Sequence, residues 1–198
     1  MSFEDGNIKI LDITFKELNR KSAEYKKVKA LYISAFPVYE RYPLFILNWW
    51  SKSKNAKFYN IYDGELWIGF NYLMMDNNIL MLQYLAIDAN IRSKGYGGKI
   101  IEKIKNMYSD KVIILGIEIP DEKSKNNEDR IKRKKFYLNN GFIESGYYIK
   151  QKPVPFELLI YGNYFSIDKL YKLYETLFGK IVWKIFYQLI KNIIIKNN

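Results

Sequence analysis

The chain has 198 residues, with 32 lysines and arginines against 21 aspartates and glutamates and a formal net charge of +11. It contains no cysteine and no histidine, which excludes disulfides, thiolate or imidazole metal sites, a cysteine nucleophile and a histidine base. Acid–base catalysis is therefore left to aspartate, glutamate, tyrosine, lysine or water. The positive charge is spread along the chain, so no nucleic-acid partner is predicted.

The cellular location is predicted from the same composition. The first ten residues include two acids and lack a long apolar core, so they do not resemble a signal peptide. No run of about 18 apolar residues occurs, so no membrane-spanning helix is predicted. Because cysteine is also absent, we expect a cytoplasmic protein.

The first half of the chain alternates between strand and helix patterns. Apolar residues at helical spacing, with Val28 and Tyr32 among them, indicate one face of an amphipathic helix. Two hairpin turns are expected at Asp63-Gly64 and at 76–78. The patterns predict a strand at 8–15, helices at 19–36 and 44–54 separated by a loop at 36–43, and three strands within 56–88.

The second half of the chain contains a βαβ pattern. A helix is predicted over 98–108, with Ile100, Ile101, Ile104 and Met107 facing the core. A continuous apolar run at 111–120 is typical of a buried parallel strand. The remaining predictions are a helix at 128–139, ended by Gly141, and two strands at 142–150 and 155–162.

The C-terminal segment, residues 164–198, is predicted to be an amphipathic helical extension of a domain at 1–163. Its lysines oppose the apolar residues, and we expect the apolar side to pack on the domain or to form a homodimer rather than to contact a membrane as a peripheral helix. The apolar positions at helical spacing are Ile181, Val182, Ile185, Phe186, Leu189, Ile190, Ile193 and Ile194.

Three of the 11 glycines lie within four residues, at Gly95, Gly97 and Gly98, between an apolar strand and a helix. The spacing matches neither a P-loop nor a dinucleotide fingerprint. A bare-backbone turn at the start of a helix nevertheless suits an anion, because successive amides can point at one ligand. The alternative is a tight turn whose glycines only ease packing.

These residues carry a resemblance to a known family. Residues 85–101, LAIDANIRSKGYGGKII, resemble the acetyl-CoA signature of the GCN5-related N-acetyltransferase (GNAT) family, matched by Arg92, Gly95 and Gly97. The family's second motif, a helix ending in tyrosine, three residues, glycine and phenylalanine, is matched by Tyr137 and Gly141-Phe142. The likeness covers about residues 8–161, and both motifs occur in the family's order with a strand between them.

The resemblance implies an α/β GNAT (acyl-CoA N-acyltransferase) fold. Its mixed central sheet is splayed between its two central strands and flanked by helices. It implies acetyl-CoA as co-substrate and no metal, with the pyrophosphate on the amides of the glycine turn. The cofactor-binding residues expected are Leu85, Ile87, Arg92, Ser93, Lys94, Gly95, Tyr96, Gly97, Gly98, Lys99 and Arg130.

The resemblance also implies residues for the reaction. Tyr137 would be the general acid, although it could only pack against the cofactor. Glu118, an acid in an apolar strand, is the candidate base, the alternative being an exposed strand-end residue. Glu40, Arg41 and Tyr84 are candidates for binding the acceptor.

The second motif departs from the family at two positions. Arg130 and Arg133 stand where an asparagine and a small residue are usual, which puts the usual side-chain contact to the pantetheine arm in doubt. Arg130 could reach the cofactor's phosphates, or it could belong to a solvated charged helix face.

The function expected from the resemblance is acetyl-CoA-dependent N-acetylation of a primary amine on a small molecule or peptide. The departures motivate an alternative: a catalytically idle sensor or interaction module that binds CoA or an acyl-CoA. The identity of the acceptor is not predicted, since loops build acceptor pockets and vary freely.

Overall fold

The structure, a computed structural model, describes residues 3–4, 7–8, 12–92, 94–150, 154–163, 165–180, 183–184, 187 and 194–196. The chain divides into two compact units. The first unit comprises Met1–Met74 and Leu82–Tyr108, and the second comprises Met75–Met81 and Ser109–Asn198.

Eight strands form one mixed sheet in the order β10-β8-β9-β7-β6-β5-β4-β3, and β1 pairs separately with β2. The elements in chain order are β1 (Phe3–Glu4), β2 (Asn7–Ile8), β3 (Ile13–Glu17), α1 (Glu24–Ala35), α2 (Leu44–Trp50), β4 (Ala56–Asp63), β5 (Leu66–Met75), β6 (Ile79–Ile87), α3 (Tyr96–Met107), β7 (Val112–Glu118), α4 (Asn127–Asn139), β8 (Ile143–Ile149), β9 (Phe156–Tyr161), α5 (Ile167–Phe178) and β10 (Ile194–Lys196).

The first unit follows the predicted order closely. Val28 and Tyr32 are the buried residues of α1, as the helical spacing indicates. The helix begins at Glu24 rather than Asn19, because Asn19 starts a turn: its side chain accepts from the Lys21 N–H at 2.9 Å and its carbonyl accepts from Ser22. The three strands predicted within 56–88 are confirmed as β4, β5 and β6.

Helix α3 differs from its prediction at both ends. It starts at Tyr96 rather than Gly98, because Gly95 makes the left-handed entry to the helix and the two following glycines fit its first turn. Ile100, Ile101 and Ile104 are buried as predicted. The inward placement of Met107 is wrong, since this last residue of the helix is 45% exposed.

The second unit is built around β7, whose apolar run is buried as predicted. β7 pairs in parallel with the first three residues of β6, Ile79–Met81, and antiparallel with β9. Strand, helix and parallel strand confirm the βαβ unit. Only these three residues of β6 pair with β7 among the described residues, as expected for a sheet that splays between its two central strands. The prediction of a mixed α/β fold is confirmed.

The amphipathic helical extension predicted over 164–198 is wrong at Ile194–Lys196, which form a strand. α5 starts after Ser166, whose hydroxyl accepts from the Asp168 N–H, and it stops before Gly179. Gly179, at φ 78°, is typical of a residue that ends a helix. Ile194–Lys196 is a strand paired with β8, which suits β-branched isoleucine.

Most of the apolar positions predicted for that helix lie outside the described residues: Ile181, Val182, Ile185, Phe186, Leu189, Ile190 and Ile193. The division at residue 163 and the homodimer therefore stay predictions. In the part of the chain that the structure describes, no helix has both the length and the apolar character needed to cross a membrane.

Candidate functional site

The glycine turn opens α3 and leaves its first amides uncapped. Gly95 precedes the helix in the left-handed region, at φ 78°, which glycine adopts without steric cost. The Lys99 N–H bonds back to the Gly95 carbonyl at 3.4 Å, and Gly95, the residue before the helix, provides no side-chain cap. The N–H groups of Gly97 and Gly98 lie in the first turn, where the helix itself supplies no acceptor.

The charges around this turn favour an anion. No acid lies in the first turn of α3, and Arg92, Lys94 and Lys99 are exposed. The Arg92 Nε donates to the Ile87 carbonyl at 3.1 Å, which holds this side chain at the end of β6. Ser93, also predicted here, lies outside the described residues. Uncapped amides, a positive helix end and exposed cations are the features of a phosphate site.

The side chain of Tyr96 anchors this turn instead of facing a ligand. Tyr96 is buried, and its hydroxyl donates to Asp63 Oδ2 at 2.9 Å. The other oxygen of Asp63 accepts from the Asp12 N–H at 2.9 Å. The start of α3 is thereby fixed to the β4–β5 hairpin. The sequence reasoning missed Asp63, because the Asp63-Gly64 pair was interpreted only as a turn.

The end of β6 depends on a glycine in the neighbouring strand. Leu85 and Ile87, the predicted pantetheine contacts, are half-buried in β6. A Cβ added at Gly69 of β5 would lie 2.1 Å from the Ala86 carbonyl oxygen, so no larger residue fits there. The sequence reasoning missed Gly69, although an isolated glycine in a strand pattern indicates a close backbone approach.

Tyr84 fixes the loop between α1 and α2 rather than offering a free hydroxyl to an acceptor. It is buried, donates to the Glu40 carbonyl at 2.7 Å and accepts from the Tyr42 N–H at 3.0 Å. The Tyr32 hydroxyl donates to the Tyr42 carbonyl at 2.9 Å. Glu40 and Arg41, the other predicted acceptor residues, are half-buried in the same loop. The structure thus brings Tyr84, Glu40 and Arg41 together.

Glu118 is directed at α4 and is bound by the side chains of Asn126, Arg130 and Arg133. It is 3% exposed. Arg130 Nη2 lies 3.3 Å from its Oε1, Arg133 Nη1 lies 3.4 Å from its Oε2, and Asn126 Nδ2 donates to Oε2 at 3.3 Å. The two arginines are one helical turn apart, so both reach the same carboxylate. The carboxylate therefore joins the end of β7 to α4 through two ion pairs.

Arg130 has partners within the protein for each part of its guanidinium group. Besides the contact with Glu118, its Nε donates to Asn126 Oδ1 at 2.9 Å and its Nη1 donates to the Ile119 carbonyl at 3.0 Å. The side chain is buried. Contact with a cofactor phosphate would require exchange of one of these bonds. Local sequence patterns could not reveal this cluster, because it joins the end of a strand to a later helix.

Tyr137 lies at the end of α4 with its ring held by aromatic neighbours. Its ring centroid is 5.0 Å from that of Phe136 and 5.6 Å from that of Phe142. Gly141 has φ 76° and the Phe142 N–H bonds back to the Tyr137 carbonyl, as the predicted helix end requires. The hydroxyl has no hydrogen-bond partner among the described residues.

The environment of Tyr137 keeps its hydroxyl protonated. Burial raises the pKa of Tyr137 to about 12, while the positive charge of Arg133 opposes that rise. Arg133 therefore lies near both Glu118 and Tyr137, the two predicted catalytic residues. The sequence marked Arg133 only as a departure from a motif.

The strand order, the glycine turn after β6 and the helix α4, which carries Tyr137 in its last turn, describe an α/β fold of the GNAT type. A protein from Bacteroides thetaiotaomicron described as a GNAT-family acetyltransferase matches with a TM-score of 0.67 and 24% identity, over 86% of this chain and 98% of that chain. No protein-family model matches the chain, and no curated protein matches it.

Two further solved structures share the fold at lower identity. Naa50 of Arabidopsis thaliana, in complex with the bisubstrate analogue CoA-Ac-MVNAL, matches with a TM-score of 0.55 and 20% identity over 76% of this chain and 99% of that chain. The dodecameric spermidine N-acetyltransferase of Vibrio cholerae matches with a TM-score of 0.58 and 14% identity over 75% and 92%. The chain therefore has the fold of the GNAT acetyltransferases.

Proposed function

We propose that the chain transfers the acetyl group of acetyl-CoA to a primary amine of a small molecule or a peptide. The observation that supports this most directly is the uncapped start of α3 after β6, in a chain with the GNAT fold. In the Naa50 neighbour, the ligand is an analogue that contains CoA. The same class of co-substrate suits the anion-favouring turn found here.

The proposed contacts to acetyl-CoA are mainly backbone groups. The amides of Arg92–Gly97 and the helix start at Gly98 and Lys99 would hold the pyrophosphate. The exposed cations Arg92, Lys94 and Lys99 would add attraction to the phosphates. The backbone of Leu85 and Ile87 would hold the pantetheine arm, and a backbone amide there would stabilise the oxyanion.

The reaction forms a bond between the amine nitrogen and the carbonyl carbon as the bond from that carbon to sulfur breaks. Acetyl-CoA supplies the acetyl thioester and leaves as CoA. The departing thiolate takes a proton, and we assign its source to the Tyr137 hydroxyl. With its pKa raised to about 12, Tyr137 is protonated at neutral pH and regains its proton from water.

Glu118 is engaged within the protein instead of meeting an acceptor amine. Its two oxygens are bonded to Arg130, Arg133 and Asn126, and without this carboxylate both guanidinium groups would lose their counter-charge. We therefore propose that the acceptor reacts as its free base and releases its proton to water. Glu118 then acts as a positioning residue that, with Arg130 and Arg133, fixes α4 and so Tyr137.

The oligomeric state and the cellular location are proposals as well. We propose a cytoplasmic homodimer that uses the C-terminal residues after α5, where Trp183 is buried and its ring stacks 6.2 Å from that of Tyr174. Light scattering of the full chain and of a chain ending at residue 163 would test this. Equal protomer numbers in both samples would contradict it.

The function is tested by thiol release from acetyl-CoA with a set of primary amines. Saturable acetyl-CoA binding by calorimetry, together with amine-dependent release of CoA that Tyr137→Phe slows, is the expected result. Saturable binding with no turnover of any amine would instead favour the idle sensor. No binding of acetyl-CoA would contradict both functions.

A further inference from the structure

Arg41 carries a buried donor without a partner. Its Nε atom is shielded from solvent and makes no hydrogen bond. Within the part of the chain that the structure describes, no hydrogen bond or ion pair joins its guanidinium group to another residue. A buried donor left unpaired is costly, and the cost is larger for a charged group. Such a donor is expected where a ligand completes the site.

The loop that carries Arg41 is fixed on both sides of it. The carbonyl of the preceding residue, Glu40, accepts from the Tyr84 hydroxyl at 2.7 Å. The following residue, Tyr42, is held through its N–H by Tyr84 at 3.0 Å and through its carbonyl by Tyr32 at 2.9 Å. These bonds place the backbone of Arg41 before any ligand binds, which lowers the entropy that binding must offset.

A buried acceptor without a partner belongs to Gln83, the residue before Tyr84 in β6. The Gln83 Oε1 atom makes no hydrogen bond. Burial raises the pKa of Tyr84, and a contact from the Gln83 side chain opposes that rise. Burial raises the pKa of Tyr32 to about 12, and the charge of Arg41 opposes it. The Tyr32–Tyr84 pair thus has an unpaired cationic donor near one member and an unpaired acceptor near the other.

We infer that the acceptor amine carries a carboxylate, and that Arg41 binds this carboxylate. The inference rests on the proposed acetyl transfer and names its substrate class. A planar guanidinium group matches a carboxylate with two parallel hydrogen bonds, one of them from Nε. Gln83 Oε1 would accept from the nitrogen of the same molecule. A polyamine has no group for Arg41 and is repelled by its charge.

The test measures thiol release by the full chain with amines matched in pairs, one of each pair lacking the carboxylate. The pairs are lysine with cadaverine and β-alanine with ethylamine, and spermidine is added as a polycation. The expected result is a kcat/KM at least about ten times higher for the carboxylate-bearing member, as a charge-assisted bidentate contact implies. An acidic peptide and its amidated form are also assayed. A higher kcat/KM for the acidic peptide than for its amidated form would indicate a peptide carboxylate, and equal values would indicate that of a free amino acid.

The variant Arg41→Met keeps an unbranched apolar stem and removes the charge and the guanidinium donors. It should lower kcat/KM for the carboxylate-bearing amines about tenfold, mainly through KM, and should not lower kcat/KM for cadaverine. Arg41→Lys should recover part of the loss. Arg20→Met, at an exposed arginine elsewhere in the same unit, should change nothing.

Failure of this inference can be separated from failure of the proposed function. Calorimetry measures acetyl-CoA and each amine of the panel with the wild type and Arg41→Met. If acetyl-CoA binds but no carboxylate-bearing amine is bound or acetylated better than its partner, the assignment of Arg41 is overturned and acetyl transfer stands. If acetyl-CoA does not bind, the proposed function fails, and the amine titrations still decide whether Arg41 binds a carboxylate.

Discussion

Helices α3 and α4 are similar in length, with 12 and 13 residues, and differ at their starts. α3 follows a left-handed glycine, has no acid in its first turn and has exposed cations beside it. α4 carries Glu128 and Asp129 in its first turn, and Asn126 before it is bonded to Glu118 and Arg130. One helix start is left open for an anion, and the other is compensated from within the protein.

The two helix starts should therefore have different roles: α3 in acetyl-CoA binding and α4 in the placement of Tyr137. We propose that an anion of acetyl-CoA is stabilised by the positive end of α3, so changes there should affect acetyl-CoA binding. The polar groups around the start of α4 are satisfied by each other, so changes there should affect stability and the placement of Tyr137. Both helices have a positive N-terminal end with N–H groups that lack intrahelical partners. The neighbouring side chains decide whether that end can bind a ligand or is neutralised within the protein.

Gly97→Glu places an acid in the first turn of α3 and is expected to have the largest effect on acetyl-CoA binding. Repulsion of the pyrophosphate at short range should weaken acetyl-CoA binding about 1,000-fold, or about 4 kcal/mol. Calorimetric titration measures the loss. The matched control is Ile131→Glu, at an exposed position in α4, which should leave the Kd within about twofold. Equal losses in both variants would contradict the comparison.

Glu118→Gln tests the compensated helix start. Removing the buried charge leaves Arg130 and Arg133 without their carboxylate and should lower the free energy of unfolding by about 3 kcal/mol. Urea unfolding measures this. Because Glu118 is assigned a positioning role, the acid limb of the pH–rate profile should keep its midpoint. Loss of that limb in the variant would instead identify Glu118 as the base.

Tyr137→Phe tests the proposed role of the Tyr137 hydroxyl, which α4 positions. Loss of the acid should lower kcat about 100-fold, or about 2.7 kcal/mol, with an unchanged KM for acetyl-CoA. With the pKa raised to about 12, the wild-type acid stays protonated as pH rises. Its kcat should therefore show no descending limb from this group below about pH 11. A limb centred near pH 10 would show that Tyr137 is not buried.

Tyr84→Phe tests whether the loop at Glu40–Tyr42 supports the acceptor site and not the acetyl-CoA site. It removes the hydrogen bonds to Glu40 and Tyr42 and should lower the free energy of unfolding by about 2 kcal/mol. The KM for the acceptor amine should rise while the Kd for acetyl-CoA stays the same. Tyr32→Phe, which loses one bond to the same loop, should cost about half as much. A change in acetyl-CoA affinity would mean that the loop supports the cofactor site.

Features that depend on neighbouring residues were predicted well from the sequence. The glycine turn, the helix end at Gly141 and the order of strands and helices all follow from local backbone preferences and apolar spacing. The start of α3 was misplaced by two residues, because glycines that look like a turn also fit the first turn of a helix. The C-terminal strand was missed because isoleucine-rich spacing fits a helix and a strand alike.

The pairing of side chains could not be predicted in the same way. Glu118 stood out as an acid in an apolar strand, but its partners lie on a later helix and are chosen by tertiary packing. The free donor of Arg41 and the full hydrogen bonding of Tyr84 likewise depend on which residues the fold brings together. The sequence therefore indicated the residue types of the candidate site, and the structure was needed to show which of them lie in contact.

The central claim is that the open start of α3 binds the pyrophosphate of acetyl-CoA. The most direct test is calorimetric titration of the full chain with acetyl-CoA and with acetyl-pantetheine, which has no pyrophosphate. We expect saturable binding of acetyl-CoA and at least about 100-fold weaker binding of acetyl-pantetheine. Equal affinity for the two, or no saturable binding of acetyl-CoA, would contradict it.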